Sequence, residues 1–249
     1  QVVGGPITLD GVEHVTFNGA DGNADQFDVA NYGALTDVVV LNLNTGDAGG
    51  ADETDTININ TAPQQNDTLR YTPMTRFTST LTRAEGGPQI NIAGFRGHNE
   101  TSALSVAGGA GGEDSMEVFG LNSPSIFTVS QFSPSNVLVE FTLSADGVNN
   151  EPGIPIDFAN IESLVVHGGS GNDIMNVAEG AAGLIFLSGG VTFHGGAGID
   201  AIGFTGATTV AATYRVGPNP DEGSITHVSG GQTPVTQRVN FTGLEPIFD

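Results

Sequence analysis

The stretch HGGSGNDIMNV, residues 167–177, places three glycines, an asparagine and an aspartate directly before alternating apolar residues. A simple turn needs only one or two glycines. The arrangement recurs along the chain, which indicates an internal repeat. The other copies are GADGNADQFDV (19–29), GDAGGADETDTINI (46–59), GGAGGEDSMEV (108–118) and GGAGIDAIGF (195–204).

The aspartates that end these copies have a regular spacing. They are Asp25, Asp55, Asp114, Asp173 and Asp200, and they lie 30, 59, 59 and 27 residues apart. Two equal intervals, and two near half that length, predict a unit of about 59 residues. We therefore predict one elongated repeat domain over residues 1–249, with units at roughly 1–66, 67–125 and 126–206 and a partial unit at 207–249.

A second repeated element leads into the glycines. The segments DGVEHVTFNGADGN (10–23) and ANIESLVVHGGSGN (159–172) match position for position in pattern, and NFTGLEPIFD (240–249) repeats the first half. Two explanations of this last, partial match stay open. The chain is a fragment of a longer array, or its subunits join head to tail.

The remaining pattern predicts an all-β fold. Short apolar runs rich in Val, Ile, Thr and Phe alternate with glycine turns, and no extended helical period is present. Segments 79–95, 137–158 and 225–241 have the pattern of hairpins. We expect a parallel β-solenoid, or β-helix, with β-hairpin excursions. An array of small β-sandwich modules is the alternative.

The composition limits the partners. Acidic residues number 28 against six arginines, with no lysine, and the net charge is −22. This charge argues against nucleic acid and anionic membrane surfaces as partners and favours cations. Cysteine is absent, which excludes disulfides and cysteine zinc sites. No apolar stretch is long enough to span a bilayer, so we expect no membrane insertion.

The glycine–aspartate turns resemble the GGxGxD nonapeptides of the haemolysin-type (RTX) calcium-binding repeats. The resemblance implies that each turn binds Ca²⁺ between successive coils of a parallel β-roll. It rests on two clean copies and extends, in degenerate form, to Asp114, Asp25, Asp52 and Asp55. The clean copies supply the implied ligand positions Gly168, Gly169, Gly171, Asn172, Asp173, Gly195, Gly196, Gly198 and Asp200.

The residue types suit this chemistry. Ca²⁺ takes six to eight oxygen ligands, and glycine permits the positive φ that aims backbone carbonyls at one point. The copies here are not in direct tandem, but Asp173 and Asp200 would stack if one coil takes the 27 residues between them. The alternative is that these are metal-free turns at tight corners.

The layout also resembles large secreted surface proteins of environmental bacteria, which are built from long arrays of such units. The resemblance implies a secreted, cell-surface structural or adhesive protein. We expect a calcium-stabilised subunit that self-associates head to tail into a fibre, sheath or layer, with extracellular glycans as a second class of partner. A passive or adhesive module of a longer surface protein is the alternative, and a polysaccharide-active β-helix enzyme is the third.

Catalysis is not expected. The carboxylate pairs Asp52/Asp55 and Glu113/Asp114 fall inside the repeat, where each copy has an acid for the same local reason. His167 and His194 both precede Gly-Gly. They are either a transition-metal pair or equivalent surface positions. Glycosylation sequons occur at Asn66, Asn99 and Asn240.

Overall fold

The computed structural model describes residues 12–19, 25–32, 38–45, 55–75, 77–94, 103–143, 151–206 and 209–244. Within these ranges the chain forms 20 strands and no α-helix, which confirms the all-β prediction. None of these residues belongs to a helix long and apolar enough to cross a lipid bilayer.

The strands follow one another at short intervals. In chain order they are β1 (His14–Asn18), β2 (Gln26–Val29), β3 (Val40–Asn44), β4 (Thr56–Asn60), β5 (Thr68–Thr75), β6 (Thr78–Arg83), β7 (Gln89–Ala93), β8 (Ala103–Ala107), β9 (Ser115–Phe119), β10 (Ser125–Ser133), β11 (Asn136–Leu143), β12 (Glu151–Pro152), β13 (Ile156–Ala159), β14 (Ser163–Ser170), β15 (Ile174–Ala178), β16 (Gly190–Ala197), β17 (Ala201–Thr205), β18 (Thr209–Val216), β19 (Gly223–Ser229) and β20 (Thr236–Thr242).

These strands form two mixed sheets. Sheet A has the order β1-β3-β7-β6-β5-β9-β14-β16-β20-β19-β18, and sheet B has the order β17-β15-β10-β11-β13-β8-β4-β2, with β12 beside β11. Outside three antiparallel meanders, the chain passes from one sheet to the other and each strand pairs in parallel with an earlier one. His14 pairs with Val40 in sheet A, and Ile174 pairs with Ala201 in sheet B.

Apolar alternation buries one face of each sheet, because successive side chains of a strand point to opposite faces. In β4, Ile57 and Ile59 are buried, while Thr56, Asn58 and Asn60, which alternate with them, are not. The buried residues of both sheets form one hydrophobic cluster. Phe17 of β1 and Phe27 of β2 approach across it, with ring centroids 6.4 Å apart. The two sheets therefore share a single core.

The three meanders are β5–β6–β7, β10–β11–β13 and β18–β19–β20. Their antiparallel pairing confirms the hairpins predicted at residues 79–95, 137–158 and 225–241. The hairpin between β6 and β7 turns at Gly86 and Gly87, whose φ values of 101° and 120° favour glycine. The first and third meanders lie in sheet A, and the second lies in sheet B.

The chain contains one arrangement twice. Strands β1–β7, here called block 1, and β14–β20, called block 2, have the same order and the same five pairings. Strand β14 begins 149 residues after β1, and Gly243 follows Gly94 by the same 149 residues. Both glycines have positive φ, at 70° and 81°. Strands β8–β13 join the blocks and are called the connector.

This long correspondence contains the sequence match between residues 10–23 and 159–172. The shorter units of about 59 residues that the aspartate spacing predicts stay a prediction. The connector covers one end of block 1 and the opposite end of block 2. Strand β4 pairs with β8 and β5 pairs with β9, while β14 pairs with β9 and β15 pairs with β10.

Truncation of Phe127 should destabilise the protein strongly. Its ring is fully buried and lies edge-on to Phe141 at 5.9 Å. We expect Phe127→Ala to lower the free energy of unfolding in urea by about 3–5 kcal/mol. The control is Phe132→Ala on the same strand, where the side chain is 58% exposed; we expect a change within about 0.5 kcal/mol. Equal losses in both variants would contradict the assignment of the core.

Candidate glycine–aspartate site

Each described aspartate of the repeat lies immediately before a strand. Asp25, Asp55, Asp173 and Asp200 precede β2, β4, β15 and β17 in sheet B, whereas Asp114 precedes β9 in sheet A. Asp52 lies outside the described residues. The structure thus places the predicted carboxylates at the starts of strands in both sheets rather than in one.

The carboxylates of sheet B cap the starts of neighbouring strands. The N–H of Asp173 donates to Oδ1 of Asp200 at 2.7 Å, and the N–H of Ser125 donates to Oδ1 of Asp173 at 2.7 Å. The N–H of Asp25 donates to Oδ1 of Asp55 at 2.8 Å. Each acid therefore satisfies a backbone donor that would otherwise be buried without a partner.

A second series of the same kind runs along sheet A. The N–H of Asp67 donates to Oδ1 of Asp114, and the N–H of Asp114 donates to Oε2 of Glu162, each at 2.7 Å. We call the two series the carboxylate ladders. Sequence analysis missed Asp67 and Glu162 as members of them.

Signals for both residues were nevertheless present in the sequence. Asn66-Asp67 repeats the Asn172-Asp173 pair without its glycines, and Glu162 lies in the matched segment 159–172. Asp67 is also buried beside the Arg83 guanidinium, with which it forms an ion pair. It is therefore a ladder member with a positive partner of its own.

The asparagine before the aspartate adds a parallel hydrogen bond. Oδ1 of Asn172 accepts the N–H of Ile199 at 3.0 Å, and Oδ1 of Asn66 accepts the N–H of Glu113 at 3.0 Å. Asn66 and Asn172 occupy the same position relative to their ladders. The asparagine thus accepts one backbone N–H of the neighbouring turn, while the N–H of the following aspartate donates to the acid of that same turn.

The three glycines of residues 168–171 have two different roles. Gly169 and Gly171 have φ values of 101° and 132°, a conformation that residues with a side chain rarely adopt. Gly168 makes room: a Cβ there would lie 2.7 Å from Oδ2 of Asp173 and 2.3 Å from the carbonyl oxygen of Gly195. The glycine-rich run is therefore explained by close stacking of successive turns.

The next copy repeats this division. Gly196 and Gly198 have φ values of 102° and 148°. A Cβ on Gly195 would lie 2.6 Å from Oδ2 of Asp200, and one on Gly198 would lie 1.6 Å from the carbonyl oxygen of Gly171. The two clean copies of the motif are therefore in direct contact, as the 27 residues between Asp173 and Asp200 predict.

The second oxygen of these carboxylates lacks a hydrogen bond. Among the described residues, Oδ2 of Asp114, Asp173 and Asp200 is buried and has no partner. The three residues are at most 2% exposed. Each ladder therefore carries buried negative charge that hydrogen bonds only half compensate.

Burial changes the acidity of two members. Burial raises the pKa of Asp173 to about 6, the N–H of Ser125 opposes this rise, and the charge of Asp200 adds to it. Burial likewise raises the pKa of Asp114, against the N–H of Asp67, and the charges of Asp67 and Glu162 raise it further. Burial thus moves the ionisation of Asp173 into the mildly acidic range.

The oxygen atoms fit a hard cation in their chemistry. Ca²⁺ prefers carboxylate and carbonyl oxygens, and Oδ2 of Asp173 and of Asp200 is a buried carboxylate oxygen without a partner. In the described part of the chain, however, no three acidic or histidine side chains lie together as a ready metal cluster. Any further ligands would be backbone carbonyls, amide or hydroxyl oxygens of side chains, or water.

His167 and His194 occupy equivalent positions, paired between β14 and β16. The ring of His167 stacks on Phe119 at 4.4 Å and on His194 at 5.1 Å, and Nδ1 of His194 lies 2.8 Å from the Thr242 hydroxyl. Burial lowers the pKa of His167, and the charge of His194 lowers it further. The two rings contribute stacking on sheet A.

Close stacking of the turns predicts a ranking of glycine substitutions. We expect Gly198→Ala to lower the melting temperature more than Gly183→Ala does. Gly183 also has a positive φ, 97°, but no atom lies within 4 Å of its added Cβ. The Gly183 variant should therefore lose only the backbone term, about 1 kcal/mol. Similar melting temperatures for the two variants would contradict the stacked arrangement.

Asp173 should make stability depend on pH. Its folded pKa lies above the value of about 3.9 expected when unfolded. The folded state therefore retains the proton to higher pH, and ionisation costs stability as pH rises through about 6. In a chelator, the advantage of Asp173→Asn over the parent in urea unfolding should grow from pH 4.5 to pH 7.5.

The comparison between variants isolates this effect. His167 and His227 have lowered pKa values, so they destabilise both proteins as pH falls below about 6.5, and their contributions cancel in the difference. The asparagine introduced by Asp173→Asn would retain an oxygen that accepts the N–H of Ser125. The control is Asp28→Asn, an exposed position outside the ladders, measured at the same two pH values. A flat difference for Asp173→Asn would exclude this titration.

Comparison with protein-family models, with curated proteins and with solved structures gives no match for this chain.

Proposed function

We propose that this chain is a structural, length-building β-repeat of an extracellular fibre, sheath or layer. The observation that carries the proposal is the duplication of β1–β7 as β14–β20, with all five pairings retained. A fold in which each strand pairs with an earlier copy of itself lengthens without changing its cross-section. In such a fold, the number of repeats in the sequence sets the length of the molecule.

The architecture that we propose is a parallel β-solenoid with hairpin excursions. Its support is the passage of the chain between two sheets, with parallel neighbours one coil apart. The step from Ile174 to its partner Ala201 equals the 27 residues that separate Asp173 from Asp200. An array of sandwich modules would favour antiparallel neighbours, as in Greek-key sandwiches.

Calcium is the cation that we propose for the carboxylate ladders. Its support is the buried, unpartnered Oδ2 of Asp173 and Asp200 and the acidic excess of the chain. These two residues would hold the ion, which would supply positive charge to the ladder and stabilise the folded state. The Asp114 ladder is a second candidate position, since its Oδ2 is equally buried.

Two modes of lengthening remain: head-to-tail association of separate copies, and repetition within one longer surface protein. The duplication favours the second, because it already joins two blocks through a connector in one chain. Extracellular glycans are the second partner class that we propose. Their support is the neutral polar surface of β1, β3 and β7 in sheet A, where Asn91 donates to Asn42 at 2.7 Å and Asn42 donates to Thr16 at 3.1 Å.

Electron microscopy in millimolar calcium, beside the same sample in chelator, tests the structural role. Filaments or sheets in calcium that shorten or disappear in chelator would show head-to-tail association of separate copies. Isolated elongated particles are the result that we expect if repetition lies within one longer protein, and compact particles would contradict the length-building role. Assemblies that are unchanged in chelator would support the structural role and exclude calcium from it. Isolated particles in both conditions would exclude self-assembly of the separate chain.

Calcium binding is tested separately by titration calorimetry and melting temperature. We expect calcium to raise the melting temperature of the parent, by mass action. Asp200→Asn retains an acceptor for the N–H of Asp173 but lacks the charge. This variant should lose most of the calcium response while melting in chelator at or above the parent temperature. A parent without any calcium response would refute the proposed site.

A further inference from the structure

The two ends of the duplicated arrangement differ in cover. In block 1, Ile57 and Ile59 of β4 are fully buried, and β8 of the connector pairs with β4. The matching residues of block 2 are Ile202 and Phe204 of β17, which are only partly buried. No described strand pairs with the outer edge of β17. The same apolar positions are thus covered in one block and open in the other.

The last meander shows the contrast most clearly. Tyr71 of β5 and Tyr214 of β18 occupy equivalent positions in their meanders. Tyr71 pairs with Leu81 of the central strand β6, and Tyr214 pairs with Ile225 of the central strand β19. Tyr71 is fully buried, whereas Tyr214 is 37% exposed. Val216, at the end of the same strand, is 71% exposed.

The connector is what buries Tyr71. Its ring packs 5.6 Å from Phe141 of β11, and its hydroxyl donates to the carbonyl oxygen of Ile154 at 2.9 Å. Val118 of β9 lies beside it as its parallel strand partner. All three partners belong to the connector. Tyr214 instead stacks on Phe241 of its own meander, with ring centroids 6.2 Å apart.

We propose that the open end of block 2 is a docking surface for a second connector-type segment. This segment would pair a β8-like strand in parallel with β17 and a β9-like strand in parallel with β18. Its apolar positions would cover Ile202, Phe204 and Tyr214. The same interface already occurs within the chain, because β4 pairs in parallel with β8 and β5 pairs in parallel with β9.

The chemistry of the partner follows from the connector. It is a β-segment with alternate apolar residues, such as Leu104 and Val106, then a glycine turn that ends in an acid. In block 1 that acid, Asp114, accepts the N–H of the residue before β5. The partner should therefore carry an acid directly before its second strand. This inference rests on the proposal of a length-building repeat and specifies what is added next.

The test appends a second connector at the equivalent point. Because Gly94 and Gly243 correspond, residues 95–160 are fused after Gly243 in a chain carrying Tyr214→Trp. The parent has no tryptophan, so the substitution gives a single reporter. We expect the extension to shift tryptophan emission to shorter wavelength and to reduce acrylamide quenching at least threefold. Hydrogen exchange of the β18 amides should slow.

A matched control carries Val106→Asp and Val118→Asp in the appended copy only. It should leave the reporter as exposed as in the chain without an extension. If the unmodified extension also leaves it exposed, while circular dichroism and melting of the original strands are unchanged, the docking surface is refuted.

A different occupant would also be visible. Concentration-dependent burial of the reporter without an extension would mean that a second copy covers this end, and would overturn the choice of a connector. Microscopy of the unextended chain stays the separate test of the structural role. The inference can therefore fail while the proposed function stands.

Discussion

The carboxylate that accepts a backbone N–H at the start of a neighbouring strand is the interaction on which the other features depend. Turns at the corners of stacked strands leave N–H groups that no strand partner satisfies. A buried aspartate oxygen satisfies one such group at 2.7 Å in the Ser125–Asp173 and Asp173–Asp200 steps. Because the acid must lie over the turn behind it, Gly168 and Gly195 have no room for a side chain. The glycine-rich sequence is thus a consequence of where the carboxylate lies.

This arrangement has a cost, since each ladder gathers negative charge away from water. The chain meets the cost differently at different positions. Asp67 has Arg83 beside it, whereas Asp173 has a raised pKa and a neighbouring acid, Asp200. A proton, a cation or a fixed guanidinium are three solutions to the same electrostatic problem. With only six arginines in the chain, the third is available at few positions.

The sequence was sufficient for the class of the fold and for the local pattern of its strands. Short apolar runs between glycine turns predict an all-β chain, and the pattern around the Gly-Gly pairs predicts the hairpins at 79–95 and 225–241. The glycine–aspartate motif also locates Asp173 and Asp200 correctly as stacked neighbours. Asp67 was not predicted because its turn has no glycine directly before the acid. Asp114 and Asp173 belong to different sheets. Which sheet a strand joins depends on long-range pairing, and the spacing of the motifs alone does not specify it.

The alternating placement of the three meanders has a mechanical consequence. Each meander adds two strands to one sheet and none to the other, and strands are spaced about 4.8 Å apart. One meander therefore lengthens its sheet by about 10 Å relative to the sheet it faces. The meander of sheet B, β10–β11–β13, offsets that of sheet A, β5–β6–β7. The meander β18–β19–β20 lengthens sheet A again, so the two sheets end at different levels unless a further meander is inserted in sheet B.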